Sequence, residues 1–263
     1  MYETVLLEKD GGVATVALNR PKVLNAFSMQ LHEELYDALT EASADYKTRC
    51  IVLRGEGKGF SAGADLAEVT GGNGDPHGPD LGEYLRRTYG RLITRMVGIE
   101  KPLVASLHGP VYGAGLGLAL ACDLRLAAES TKFSVAFIKI GLIPDAGVTF
   151  FLPRVVGLGR AMQMSMLGES MDSQEAHRVG LVNEVVPDER LEEETAALAG
   201  RLAGLPTQAL GRIKQTLHKS FEGDLAAALE AEAVEQTLCG YTQDHKEGIA
   251  AFFEKRDPAF TGR

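Results

Sequence analysis

The sequence predicts an α/β fold that ends in a helical segment. Three observations carry this. The chain opens on two alternating apolar and polar runs around a glycine pair. Through its first two thirds, short apolar runs alternate with stretches of helical periodicity. After Leu181 the pattern changes to four successive helices rich in Ala, Leu, Glu and Lys.

The elements follow in order. Residues 4–8 and 13–18 alternate, and Asp10-Gly11-Gly12 between them signals a hairpin. Residues 28–46 place Leu31, Leu35, Leu39 and Ala42 at helical spacing, with Ser28 as the N-cap. Residues 50–54, 103–107, 124–127 and 133–136 read as short strands. Residues 113–121 are small and apolar all round, which suits a buried helix. Residues 70–80 form a loop rich in Gly, Pro, Asn and Asp, either a surface excursion or a lid over a substrate. Beyond Leu181, helices are expected over 190–203, 207–220, 225–238 and 242–254, with breaks at Gly204-Leu205-Pro206, Glu222-Gly223-Asp224 and Gly240. The expected division is a core over residues 1–188 and a helical subdomain over 189–263.

The 263 residues carry 36 acids and 27 bases, a formal charge of −9, so no phosphate-backbone binder is expected. No apolar run reaches the ~18 residues of a membrane span. The first ten residues hold Glu3, Glu8 and Asp10 and no apolar core, so no signal peptide is expected. Cys50, Cys122 and Cys239 are far apart and form no C-x-x-C pair, which points to a reducing cytoplasm rather than a disulfide framework. The histidines show no H-x-x-x-H, and no metal site is expected.

Three motifs bear on chemistry. Gly59-Phe60-Ser61-Ala62-Gly63 fits G-x-S-x-G, but residues 55–58 separate it from the preceding strand, so Ser61 reads as a turn residue rather than a nucleophile. Gly113-Ala114-Gly115-Leu116-Gly117 lacks the third glycine of a dinucleotide fingerprint. It reads instead as a glycine-rich helix start, whose free N–H groups can face an anion or whose small residues allow close packing. Asp145, in Ile143-Pro144-Asp145-Ala146-Gly147, is either a helix N-cap or a carboxylate among apolar neighbours able to act as a base. On the local residues, the cap is the better reading.

Taken together these segments resemble the crotonase, or enoyl-CoA hydratase/isomerase, superfamily. The resemblance runs through Asn19-Arg20-Pro21-Lys22-Val23-Leu24-Asn25-Ala26, Gly59–Leu66, Lys101–Gly109 with Gly113-Ala114-Gly115, Cys122-Asp123-Leu124-Arg125, Gly180-Leu181-Val182 and Phe253–Pro258. It implies a spiral of ββα units followed by helices used in assembly, a homotrimer or a dimer of trimers. It implies a coenzyme A thioester as substrate and no separate cofactor. Two backbone N–H groups would hold the thioester oxygen, and by position they fall at Ala62 and Ala114. Residues implied to lie along the CoA thioester are Val23, Leu24, Ala26, Gly63, Ala64, Asp65, Leu66, Gly115, Gly117, Phe137 and Lys255.

The chain departs from the family's hydratases. Their two glutamates would fall at Gly117 and Phe137, and neither residue can transfer a proton. Asp145 stands where isomerases of the family place a carboxylate, and residues 136–147 resemble the ring-epoxide isomerases of phenylacetate degradation. Gly117 would leave space and Phe137 an apolar wall for a bulky acyl group. The resemblance therefore implies an acyl-CoA isomerase with Asp145 as general acid and base. The alternatives are an enoyl-CoA hydratase and a non-catalytic CoA-thioester or RNA binder. A dehalogenase ranks lower, because the chain has no Trp and Thr94 stands about where that activity's histidine would be.

Overall fold

A computed structural model describes residues 2–69 and 80–263. The expected loop over 70–80 lies outside the described residues except for Asp80. The opening hairpin pairs β1 (Val5–Asp10) with β2 (Val13–Leu18), antiparallel. Gly11 and Gly12, both at positive φ (52° and 84°), make the two-residue turn. That conformation is strained for residues with a Cβ. After β2 come α1 (Met29–Ala44), β3 (Cys50–Gly55), α2 (Leu66–Val69), α3 (Leu81–Leu85), α4 (Arg91–Val97), β4 (Leu103–Leu107), β5 (Pro110–Tyr112) and α5 (Ala114–Ala121). The chain continues through β6 (Leu124–Ala128), β7 (Lys132–Ser134), α6 (Val148–Val156), α7 (Leu158–Leu167), β8 (Ser170–Asp172), α8 (Ser173–Arg178) and β9 (Glu184–Val186). It ends on α9 (Leu191–Ala203), α10 (Thr207–Ser220), α11 (Leu225–Gly240) and α12 (Gln243–Glu254).

The larger sheet has the order β1-β2-β3-β4-β6-β9, parallel from β2 onward. Parallel strands buried on both faces read as continuous apolar runs, and β3 shows why. Ile51 and Leu53 join the main core with α1, α4 and α5, while Cys50 and Val52 face the other way. There they meet Leu191, Ala199, Leu202 and Ala203 of α9. The final helical stretch thus begins as the cover of the sheet's second face. Helix α1 follows its expected pattern, burying Leu31, Leu35, Ala38, Leu39 and Ala42. Ser28 Oγ caps it by accepting from the Leu31 N–H at 3.2 Å. Helix α5 is buried on every side. By contrast α11 buries none of its residues and exposes Leu225, Leu229, Val234 and Leu238.

A second sheet, β5-β7-β8, holds the strands that lead into α5 and into the turn carrying Phe137. The strand expected over 133–136 is shorter than its apolar pattern suggests. β7 stops at Ser134, whose hydroxyl donates to the Gly168 carbonyl at 3.1 Å. A 3-10 turn, Ala136–Ile140, takes over and ends at Gly141 with φ 73°. Helical residues 81–97, which the periodicity argument left unread, form a wall opposite this turn. Among the described residues no helix is long and apolar enough to cross a membrane.

Candidate active site

Ser61 starts the site as a structural residue. It is fully buried, its hydroxyl donates to the Asn25 carbonyl at 2.9 Å, and it accepts from the Gly63 N–H at 3.1 Å. It has no role as a nucleophile in this geometry. The segment Ser61–Ala64 is pinned on both sides. Ser61 N–H donates to Pro110 O and Tyr112 N–H to Ser61 O, joining it to β5. Phe27 N–H donates to Gly63 O and Asp65 N–H to Phe27 O on the opposite side.

This lacing decides which amides are free. Ala62 N–H, the expected donor to a substrate oxygen, already donates to the Leu24 carbonyl at 2.9 Å. That expectation is corrected. The parallel bridge to Phe27 uses the Gly63 carbonyl and the Asp65 N–H, so the N–H of Ala64 between them points away from Phe27 and is the free amide. Ala64 N–H has no acceptor among the described residues. Ala114, the first residue of α5, likewise has no acceptor for its N–H, as expected at a helix start. Gly63 and Gly113 bring the two amides together at positive φ (99° and 52°). A Cβ on Gly63 would lie 3.1 Å from Tyr112 O and 3.4 Å from Ala114 N, so the two segments are in contact there.

A cavity of about 750 Å³ opens beside these amides. Its lining is mostly apolar and includes Leu66, Leu81, Leu85, Ile93, Leu142 and Ile143. Of the expected residues, Ala62, Gly63, Ala64, Leu66, Ala114, Phe137 and Asp145 line it. Phe137 is buried, with Cζ 3.8 Å from where a Cβ on Gly113 would stand.

Asp145 is the sole acid among the described residues of the lining. It is not a helix cap. The N-cap of α6 is Gly147, no side chain caps that helix, and Asp145 contributes its carbonyl to a turn with Val148 N–H at 2.9 Å. Its Oδ1 is buried with no hydrogen-bond partner among the described residues. Burial raises its carboxyl from 3.8 to about 6, because a desolvated charge is disfavoured and no cation or donor offsets the loss. A carboxyl near 6 is mostly ionised at neutral pH yet basic enough to take a proton.

Other expected residues sit elsewhere. Gly117 leaves no open space: a Cβ there would lie 2.5 Å from Ala146 O and 2.7 Å from Ala146 Cβ. The glycine is required by the close approach of α5 to the Asp145 loop. Gly115 packs the same way, since a Cβ there would lie 2.8 Å from Ser61 Cβ. Asp65 pairs with Arg20 at 3.0 Å, and the same guanidinium donates to Ala26 O at 2.5 Å. Val23, Leu24 and Ala26 are thereby fixed beside the Ser61–Ala64 segment but outside the cavity lining. Asn25, passed over in the sequence, is fully buried and locks this corner by donating to Glu56 O and Gly59 O at 2.9 Å each. Lys255 is exposed at the end of α12, in the left-handed conformation, and does not line the cavity.

The sequence reading missed the wall from α3 to α4. Tyr84, Tyr89 and Ile93 line the cavity from that side, with Thr94 and Arg86. Their signal was a recurrence of Leu81, Leu85, Leu92 and Met96, broken by an irregular turn. No group of three or more His, Cys, Asp or Glu that could hold a metal occurs among the described residues.

Comparison with known proteins agrees with this arrangement. The family model described as enoyl-CoA hydratase/isomerase matches residues 8–263. The chain is 42% identical to the 1,2-epoxyphenylacetyl-CoA isomerase of Escherichia coli K12, over all of both chains. It is 37% identical to the 2,3-dehydroadipyl-CoA hydratase of the same organism, covering 98% of this chain and 99% of that one. A solved enoyl-CoA hydratase from Bacillus anthracis superposes with a TM-score of 0.90 at 33% identity, over 99% of this chain and 100% of the other. The fold is thus the crotonase fold that the motifs led one to expect. With the match spanning the paired amides, the cavity and the Asp145 loop alike, the chain belongs to the enoyl-CoA hydratase/isomerase family.

Proposed function

We propose that this enzyme is an acyl-CoA isomerase that uses Asp145 as its single general acid and base. The observation that carries the reading is the unpartnered, desolvated Asp145 carboxyl in the wall of an apolar cavity. Asp145 takes a proton from carbon beside the thioester carbonyl, and charge develops on the thioester oxygen. The amides of Ala64 and Ala114 receive that charge. Preorganised donors of this kind are worth about 10²–10³ in rate each. The carboxyl then returns the same proton at another carbon, so the product has the substrate's mass. Shifting a double bond or rearranging a ring epoxide both fit this scheme. The apolar lining holds the acyl group, and coenzyme A enters as part of the substrate.

Hydration by two glutamates is disfavoured by the residues present. Phe137 has no proton to give, and Gly117 is backed directly by Ala146. The names of several relatives keep hydration as the second reading. We further propose a homotrimer or a dimer of trimers, supported by the apolar residues that α11 leaves exposed.

The test gives wild type and Asp145→Asn a 3-enoyl-CoA, the ring epoxide of phenylacetyl-CoA and crotonyl-CoA. Mass-neutral conversion by wild type, lost in the variant, is expected. Rapid addition of water to crotonyl-CoA, unchanged in the variant, would replace the isomerase reading with hydration.

A further inference from the structure

A second cavity, of about 510 Å³, lies at the other end of the parallel sheet from Asp145. The Asp145 cavity takes residues 62–64, which follow the C-terminal end of β3. The second takes Thr48, Arg49 and Lys101, which come just before β3 and β4. At this end α1 and α4 stop and α10 begins, and residues 261–263 complete the wall.

Its charge is the reverse of the chain's. The sequence carries −9, yet Arg49, Arg95, Lys101, Arg212 and Arg263 line this cavity, and Glu100 is its one acidic side chain. The first four are half-buried. Three of them are held by neutral oxygens. Arg49 donates to Thr207 Oγ1 and Phe260 O at 2.9 Å and to Leu205 O at 2.6 Å. Arg95 donates to the hydroxyls of Thr40 and Ser43. Lys101 donates to Ala42 O at 3.3 Å and Asp45 O at 2.7 Å, so it screens the negative end of α1. Burial pulls the Lys101 ammonium below its usual range, despite Asp45 nearby. Arg212 pairs with Glu235 through Nη1 at 2.6 Å, but its Nε is buried with no partner among the described residues. Helix α10 adds the positive end of its dipole. Pro206 is its N-cap and offers no side-chain bond, so the Thr207 and Gln208 amides have no acceptor among the described residues.

Taking cations out of water is costly unless an anion compensates them. Four such cations and an uncapped helix start around one cavity suit a multiply charged anion with several oxygens. A lone carboxylate would meet too few of these donors. We propose that this cavity binds a diphosphate group, free or as part of a nucleotide, with Arg95, Lys101 and Arg212 as its donors. Arg49 is a clamp rather than a donor, since its guanidinium already ties together residues 205, 207 and 260. Tyr46, at the rim and 73% exposed, has the Arg263 guanidinium 5.8 Å from its ring and offers a face for a nucleotide base. The site is separate from Asp145 and does not depend on the isomerase reading.

The test is equilibrium binding, which needs no turnover. Inorganic diphosphate and ADP are titrated calorimetrically, at fixed ionic strength, into wild type and variants. Wild type is expected to bind diphosphate with a Kd below about 1 mM. Arg95→Gln and Arg212→Gln are each expected to weaken it by about tenfold or more. Arg263 is exposed and its side chain holds no other segment, so Arg263→Gln keeps the fold and is expected to weaken binding by about threefold. ADP binding tighter than diphosphate, with the excess lost in Tyr46→Leu, would assign a nucleotide, and equal binding would assign free diphosphate. Lys139→Gln, in the Asp145 cavity, and Lys255→Gln are expected to change nothing. A wild-type Kd above about 1 mM would overturn the proposal. So would equal affinity in all three arginine variants and wild type. Loss with Lys139→Gln or Lys255→Gln would overturn it too, by placing the anion where the acyl-CoA binds.

Discussion

Replacing Asp145 by Asn keeps the volume and removes the titration. Its effect on stability follows from the burial of the carboxyl. In the folded chain the group ionises near 6 rather than 3.8. The folded carboxyl is thus raised above its unfolded value. Its favourable neutral form is fully present below about pH 4 and is lost as the pH rises through 6. At 1.36 kcal/mol per unit, the full penalty of ionisation is on the order of 3 kcal/mol. Between pH 8 and pH 5 about 1.5 kcal/mol of that is recovered. For a chain of this size each kcal/mol moves Tm by about 2–4 °C. The Tm of Asp145→Asn minus that of wild type is therefore expected to be about 3–6 °C larger at pH 8 than at pH 5. Calorimetric scans of both proteins at matched ionic strength read this directly. In parallel, kcat/KM of wild type should decline below about pH 6, and the variant should lose about 10²–10⁴ in rate. A Tm difference independent of pH would mean that the carboxyl titrates as in water, and the argument from desolvation would fail.

Further substitutions test the remaining geometry. Gly63→Ala places a methyl 3.1 Å from Tyr112 O at a φ of 99°, which must displace the paired amides; kcat should fall by about 10²–10³ with KM changing less. Gly117→Glu combined with Phe137→Glu restores the two acids of a hydratase, yet the side chain at 117 collides with Ala146. The double variant should lose about 1–3 kcal/mol in urea unfolding and gain no hydration of crotonyl-CoA, and brisk hydration would refute the packing argument. Burial holds His32 down to about 3 with neither nitrogen partnered, so the unfolded state takes up a proton first as the pH falls. Stability is present above about pH 6.5 and declines below it. His32→Phe should gain about 2 kcal/mol on wild type between pH 8 and pH 5, read from the urea midpoint. Tyr89→Phe removes an unpaired hydroxyl and should raise the Tm of the ligand-free protein by a few degrees, whereas a fall would mean that the hydroxyl has a partner in the folded chain.

The elements legible in the sequence were those whose local pattern matched their environment. The Gly11-Gly12 hairpin, the Ser28 cap and the all-apolar α5 belong to this group. The glycine-rich helix start at 113–117 was also visible as a place where backbone can face a ligand, whereas the segment around position 61 took that role only through the family resemblance. The choice of amide was not legible, because it depends on which side of an extended strand faces Leu24. Nor was the role of Gly117, where absence of a side chain read as room while the space is filled by Ala146. Asp145 looked like a cap because Pro-Asp before an apolar run is a good cap. Gly147 takes that place, and the choice depends on tertiary path. The cavity wall at 81–97 escaped because its helix changes period midway.

That change of period gives the wall a tolerance of chain length. The π-type turn Arg86–Gly90 holds one residue more than the α-helical path it replaces. Removing one residue between positions 86 and 88 would let the segment relax to a regular helix with the faces before and after it still in register. Tyr84 and Tyr89 would then stand four apart, about 40° from each other, and would keep the shared face that lines the cavity. Among relatives that differ here by a single-residue gap, acyl preference should therefore follow the identity of the aromatic residues rather than the gap.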